Sequence, residues 1–145
     1  MGSQFEVWEE RAKISRMSRF VGHKLEVLEE GVCKIELPFR EEFEQIFGVV
    51  HGGFITLIAD AAGYFAAATK VGEIPLATSE IKMNFISPVY RKNLYAIGKV
   101  IKSGKFLTVC ELKVYTEDPD KLIAVGLASY SRIPQKKDSA VPAKG

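Results

Sequence analysis

The chain has 145 residues, a length that suits one domain and lets roughly 68–70 % of the unfolded surface be buried. Hydrophobic residues make up 47 % and charged residues 26 %, which excludes a disordered or fibrous chain. A formal net charge of +2 is too small to imply nucleic acid as a partner, while a small anionic ligand needs only a few local cations.

The N-terminus lacks the charged-then-apolar pattern of a secretory signal. Glu6 stands where a myristoylation motif starting at Gly2 wants Ser or Thr. No apolar run reads as long enough to span a bilayer, so the expectation is a soluble, cytoplasmic protein with no membrane partner. Residues 5–20 mix charges with Phe5, Trp8, Ala12 and Phe20 and predict one short amphipathic helix. Two short strands follow. Leu25 and Val27 alternate with charges in the first. Cys33, Ile35, Leu37 and Phe39 do so in the second, with Glu30-Gly31 as the turn between them. Residues 40–50 read as a loop leading to His51-Gly52-Gly53.

The segment from Gly52 to Lys70, GGFITLIADAAGYFAAATK, has a single charge before its last residue. A helix apolar on all sides is one enclosed by other structure. Its alanines and glycines keep the profile slim, so that backbone or ligand can approach closely. The remainder reads as β. Ser79, Ile81, Met83 and Phe85 alternate with polar residues until Pro88, and residues 93–102 and 106–116 form two long strands joined at Ser103-Gly104-Lys105. Asp118-Pro119-Asp120 turns into a last strand over residues 121–133. The expectation is an N-terminal helix over residues 1–20 packed on one domain of residues 21–133, with a flexible tail over 134–145. The fold class is α+β, an antiparallel sheet wrapped around one long buried helix.

Asp60 lies in the middle of that helix, where burying an unpaired carboxylate is costly. Thr56, Gly63 and Tyr64 stand three or four residues from it and give a small, weakly polar face. Two readings stay open: a working carboxylate, or an acid that hydrogen-bonds Tyr64 or a loop backbone. At the helix start, His51-Gly52-Gly53 supplies unpaired N–H groups and lets a carbonyl approach the backbone. A bare HGG is also what any glycine-rich helix entry looks like. Together, an N–H cradle and a carboxylate fit attack by activated water on an ester. His51 itself reads as a helix-entry residue. Cys33 and Cys110 read as core residues, and neither a disulfide framework nor metal-ligand spacing is present. The lack of a G-x-S-x-G elbow argues against an α/β-hydrolase.

The run HGGFITLIADAAGYFAA, followed by TSEIKMNFISP, resembles the phenylacetate-degradation (PaaI-type) branch of the hotdog-fold acyl-CoA thioesterases. The matching positions are His51, Gly52, Gly53, Ala59, Asp60, Thr78, Ile81, Met83, Phe85 and Pro88, within a likeness spanning roughly residues 20–133. The resemblance implies a hotdog fold assembled as homodimers and commonly homotetramers, with acyl-CoA as substrate; no cofactor or metal is expected. It assigns Asp60 of one subunit as general base or nucleophile, and the Gly52 N–H of the facing subunit as the donor to the thioester carbonyl. His51 shapes that loop and Thr78, or its neighbour Ser79, positions water. The family usually has Asn six residues before the His; here Gln45 stands there, one methylene longer. Arg91, beside Lys92, and Lys105, near Lys102, are candidate contacts for the CoA phosphates. Two other readings are a hotdog hydratase or dehydratase, which needs a histidine (His23 or His51) acting on substrate, and a non-catalytic acyl-CoA-binding domain. Phe54, Tyr64, Phe65 and Phe85 are equally acyl-tunnel or core residues.

Overall fold

The computed structural model describes residues 4–117 and 119–135. Asp118 of the expected turn and residues 136–145 of the expected tail lie outside the described residues. The chain opens on two helices, α1 (Glu6–Ile14) and α2 (Arg16–Val21), where the sequence led us to expect one. Ser15 divides them: its backbone is extended and its side chain accepts from Ser18 N at 3.4 Å, so it caps α2 instead of continuing α1. β1 (Lys24–Glu29) and β2 (Val32–Leu37) follow, then a single 3-10 turn at Glu41–Phe43 and the long helix α3 (Gly52–Val71). β3 (Leu76–Phe85), β4 (Leu94–Ser103), β5 (Leu107–Thr116) and β6 (Lys121–Arg132) complete the chain. β3 begins earlier than the alternation of Ser79–Phe85 suggested, because Leu76, Ala77 and Thr78 also pair with β6.

All six strands form one antiparallel sheet in the order β1-β2-β4-β5-β6-β3. Strand periodicity sends Cys33, Ile35 and Leu37 of β2, Leu94 and Ala96 of β4, and Cys110, Leu112 and Val114 of β5 to the same buried face. α3 lies across that face and contributes Ile55, Ile58, Ala59, Ala62, Ala66 and Ala67 to the core. Its small residues let strands come close. A Cβ on Gly98 of β4 would overlap the Ala62 backbone, and one on Gly63 would overlap the Tyr130 hydroxyl of β6. That slimness therefore admits backbone on one side and a tyrosine on another.

Two expectations about α3 change. At 20 residues it is long and apolar enough to cross a membrane by length and composition, so it is not too short for a span. It is instead the core helix of the sheet. Nor is it enclosed on every side, since Thr56, Leu57, Asp60, Ala61, Tyr64 and Phe65 form a half-buried stripe turned away from the core. The outer sheet edges also differ. β1 is backed by α1, whose Glu9 carboxylate accepts from Val27 N at 2.9 Å, whereas β3 has no strand beyond it among the described residues.

Candidate functional site

Asp60 sits on the half-buried stripe of α3 and is held from the sheet. Thr78 Oγ1 of β3 donates to Asp60 Oδ1 at 2.8 Å, and the Tyr130 hydroxyl of β6 lies 3.1 Å from the same oxygen. The Tyr130 hydroxyl also lies 2.9 Å from the Asp60 backbone carbonyl oxygen. The register explains the pairing, because Thr78 and Tyr130 are direct cross-strand partners and so project from neighbouring points of one face. Both donors use Oδ1; Oδ2 has no protein partner among the described residues. The Tyr130 side chain is fully buried, and burial, with the Asp60 carboxylate next, pushes its phenol far above the ordinary value, so it stays a donor.

A bulge sends Thr78 and Ser79 in different directions. The β3–β6 register slips between Thr78 and Glu80, leaving Ser79 as the extra residue. Ser79 Oγ turns away and donates to Ser129 O at 3.1 Å, so Thr78 alone reaches Asp60. Tyr64, offered as a partner for Asp60, is replaced in that role by Tyr130.

The start of α3 is shaped as the His-Gly-Gly run suggests. His51 is extended and caps the helix, its Nδ1 accepting from Gly53 N at 2.8 Å. This side chain therefore works as a helix-entry residue. The next N–H, that of Gly52, has no acceptor among the described residues, as a first-turn helical amide should when no cap reaches it. Gln45 lies in a tight turn that Gly48 completes at φ +84°, its side-chain oxygen accepting from Phe47 N. Gln45, Gly52, Ile55, Phe85 and Pro88 line one cavity of 340 Å³.

Asp60 faces a different cavity. This one measures 520 Å³ and is bounded by α3 on one side and by α2 with His23, in the link to β1, on another. Its lining includes Met17, Leu57, Asp60, Tyr64 and Phe65, and the Ser18–His23 pair. Gly52 and Asp60 are eight residues apart on one helix, about 12 Å along its axis. One chain therefore does not bring the N–H donor and the carboxylate to a single carbonyl carbon.

The two cation candidates also stay apart. Arg91 precedes β4 and Lys105 follows it, so they stand about 30 Å apart at opposite ends of a ten-residue strand. Arg91 is committed to the loop that carries Gln45, pairing with Glu41 and Glu44 at 3.3 Å each, its side chain 63 % exposed. Lys105 Nζ lies 5.3 Å from the centre of the Phe106 ring. Cys33 and Cys110 are buried, and burial pushes both thiols up to about 12, which fits core residues rather than nucleophiles. Tyr130 escaped the sequence reading, although a tyrosine on the inward phase of a strand must find an acceptor for its hydroxyl.

Comparison with known proteins places the chain in a family and a fold. The family model described as the Thioesterase superfamily matches residues 47–123. A protein of Saccharolobus solfataricus named as an esterase is 34 % identical over 118 residues, covering 81 % of this chain and 84 % of that protein. The 1,4-dihydroxy-2-naphthoyl-CoA hydrolase of Listeria monocytogenes is 26 % identical over 106 residues, 72 % of this chain and 85 % of the enzyme. The structure of the E. coli PaaI protein from the phenylacetic acid degradation operon superposes with a TM-score of 0.81 at 18 % identity, covering 90 % of this chain and 93 % of that one. At such identity the likeness speaks for fold alone, and the fold is the hotdog.

Proposed function

The chain belongs to the thioesterase superfamily, and from that premise we propose that it hydrolyses acyl-CoA thioesters to free acid and CoA at a site shared between two copies. The observation that carries this reading is the Asp60 carboxylate, fixed by two hydroxyls on Oδ1, with Oδ2 left without a protein partner among the described residues, beside a cavity fit for an acyl group. A cavity of 520 Å³ lies within the usual range for small-molecule sites.

The chemistry follows from those positions. Water attacks the thioester carbon while Asp60 Oδ2 takes its proton, and the carbonyl oxygen becomes an oxyanion. The Gly52 N–H of a second copy donates to that oxyanion, aided by the positive end of α3. Collapse of the intermediate breaks the C–S bond, and the departing thiolate takes up the proton from Asp60. Thr78 and Tyr130 hold the carboxylate so that its free oxygen faces the water. Asp60 as nucleophile, forming a mixed anhydride that water then opens, uses the same contacts.

A second copy enters because Gly52 and Asp60 of one chain face different cavities. The uncovered edge of β3 offers a place for two copies to meet. The proposed assembly is a homodimer or a pair of dimers, with a cytoplasmic location where CoA esters are available. A hydratase is disfavoured because His51 Nδ1 caps α3 and His23 Nε2 is bonded to Ser18.

The test is release of free thiol from a panel of acyl-CoAs. Asp60→Ala should lower kcat by at least ~10²-fold in a folded protein. Unchanged kcat in that variant removes Asp60 from the mechanism. Tight acyl-CoA binding without turnover by the unaltered chain supports the non-catalytic binding domain instead.

A further inference from the structure

The wall of the Asp60 cavity that α2 and the link between α2 and β1 supply contains a buried polar pair in otherwise apolar company. Ser18 and His23 are only 6 % and 7 % exposed, and Ser18 Oγ lies 3.0 Å from His23 Nε2. Met17, Leu57, Ala61 and Phe65 line the same space. If the pair served only to tie α2 to the link that leads into β1, both ring nitrogens would be expected to find partners. His23 Nδ1, however, is enclosed and has no protein hydrogen-bond partner among the described residues.

That orphan atom fixes the direction of the Ser18 bond. The neutral imidazole carries one N–H. Placing it on Nδ1 would bury an unsatisfied donor, the rarer and costlier arrangement, whereas placing it on Nε2 leaves only a lone pair unmet. Burial lowers the His23 pKa and keeps the ring neutral. With Nε2–H donating to Ser18 Oγ, the Ser18 hydrogen is released. Among the described residues it has no other acceptor. A hydroxyl is thereby left in the cavity wall as a donor waiting for an oxygen.

We propose that Ser18, oriented by His23, is a specificity-determining donor of the acyl site, selecting acyl groups that carry a hydrogen-bond acceptor oxygen away from the thioester. This rests on the reading of the Asp60 cavity as the acyl site. Ser18 touches the acyl group directly; His23 is a positioning residue that acts through it.

The experiment measures Kd by calorimetry on Asp60→Ala, the variant expected to hold acyl-CoA with strongly slowed turnover. Matched probes are straight-chain acyl-CoAs from hexanoyl to decanoyl, each against its counterpart with the penultimate methylene oxidised to a ketone. A ketone only accepts, so it reads the donor direction. At least one pair should favour the ketone roughly five- to tenfold, and adding Ser18→Ala should abolish that preference. Alanine suits a helix, so α2 should persist. Adding His23→Phe, which keeps a buried ring without the N–H, should weaken the preference, and its Tm separates this effect from unfolding. No preference in any pair, or a preference that survives Ser18→Ala, overturns the proposal. Turnover by the unaltered chain is recorded in parallel. Binding preference without turnover supports the Ser18 assignment while refuting hydrolysis; turnover without preference does the reverse.

Discussion

Tyr130→Phe removes one oxygen atom from a fully buried position and leaves the ring in place. The ring keeps its edge contact with Tyr64, 6.1 Å between centroids, so no cavity larger than the lost oxygen opens. Lost with it are the contacts to the Asp60 carbonyl at 2.9 Å and to Oδ1 at 3.1 Å. A hydrogen bond to a charged acceptor contributes about 1.5–3 kcal/mol. One hydrogen is shared here between two acceptors, so the stability loss should fall toward about 1–2 kcal/mol. Asp60 would keep Thr78 as its one remaining anchor, and the freed carboxylate should sample orientations in which Oδ2 no longer meets the water. Misplacement of about 1 Å costs up to ~10²-fold, so kcat should drop by roughly 10- to 100-fold with little change in KM. Urea unfolding gives the first quantity and thiol-release kinetics the second. Thr78→Val, alone and combined with Tyr130→Phe, completes a double-mutant cycle. Because both hydroxyls hold one oxygen, the two losses should not add. A folded Tyr130→Phe with kcat within twofold of the parent, or strict additivity in the cycle, would refute the argument that these hydroxyls jointly orient Asp60.

Gln45→Asn should preserve or raise activity, since Asn can also accept from the N–H two residues on, as Gln45 does from Phe47. Loss of kcat at unchanged Tm would mean that residue 45 does not belong to the site as placed. The pair Arg91→Ala and Lys105→Ala should together raise KM for acyl-CoA several-fold, in a manner weakened by salt, while a truncated thioester without the nucleotide barely responds. Equal response of both substrates would show instead that Arg91 braces the Gln45 loop through Glu41 and Glu44.

Much of the fold was legible because burial imposes a period of two on strands. The alternation of Cys33, Ile35 and Leu37, and of Cys110, Leu112 and Val114, put those strands within a residue or two of where they lie. The same holds for α3, whose apolar composition announced the core helix. What escaped depends on partners remote in sequence. The Tyr130 contact with Asp60 spans 70 residues and needs Gly63 to make room. No local pattern shows that β3 pairs with β6, or that a bulge turns Ser79 away from Thr78. The break at Ser15 was in principle readable as an N-cap, but the apolar spacing across residues 5–20 masked it. Arg91 and Lys105 looked interchangeable as turn cations; only the strand between them reveals that one chain holds them at opposite ends.

The shared site is tested most directly by mixing two inactive copies. Asp60→Ala removes the carboxylate. Gly52→Pro removes only the cradle N–H, because proline is tolerated at the first helical position and His51 already has the extended backbone that must precede it. A Cβ at position 52 approaches only the tip of the Phe85 ring, at 3.2 Å, which can shift. Each variant alone should be nearly inactive. Co-expressed in equal amounts, half of the dimers are mixed, and each mixed dimer keeps one site with an intact Asp60 and an intact facing Gly52. Activity should therefore return to about a quarter of the parent level. Mixtures as inactive as the separate variants would contradict a site built from two copies.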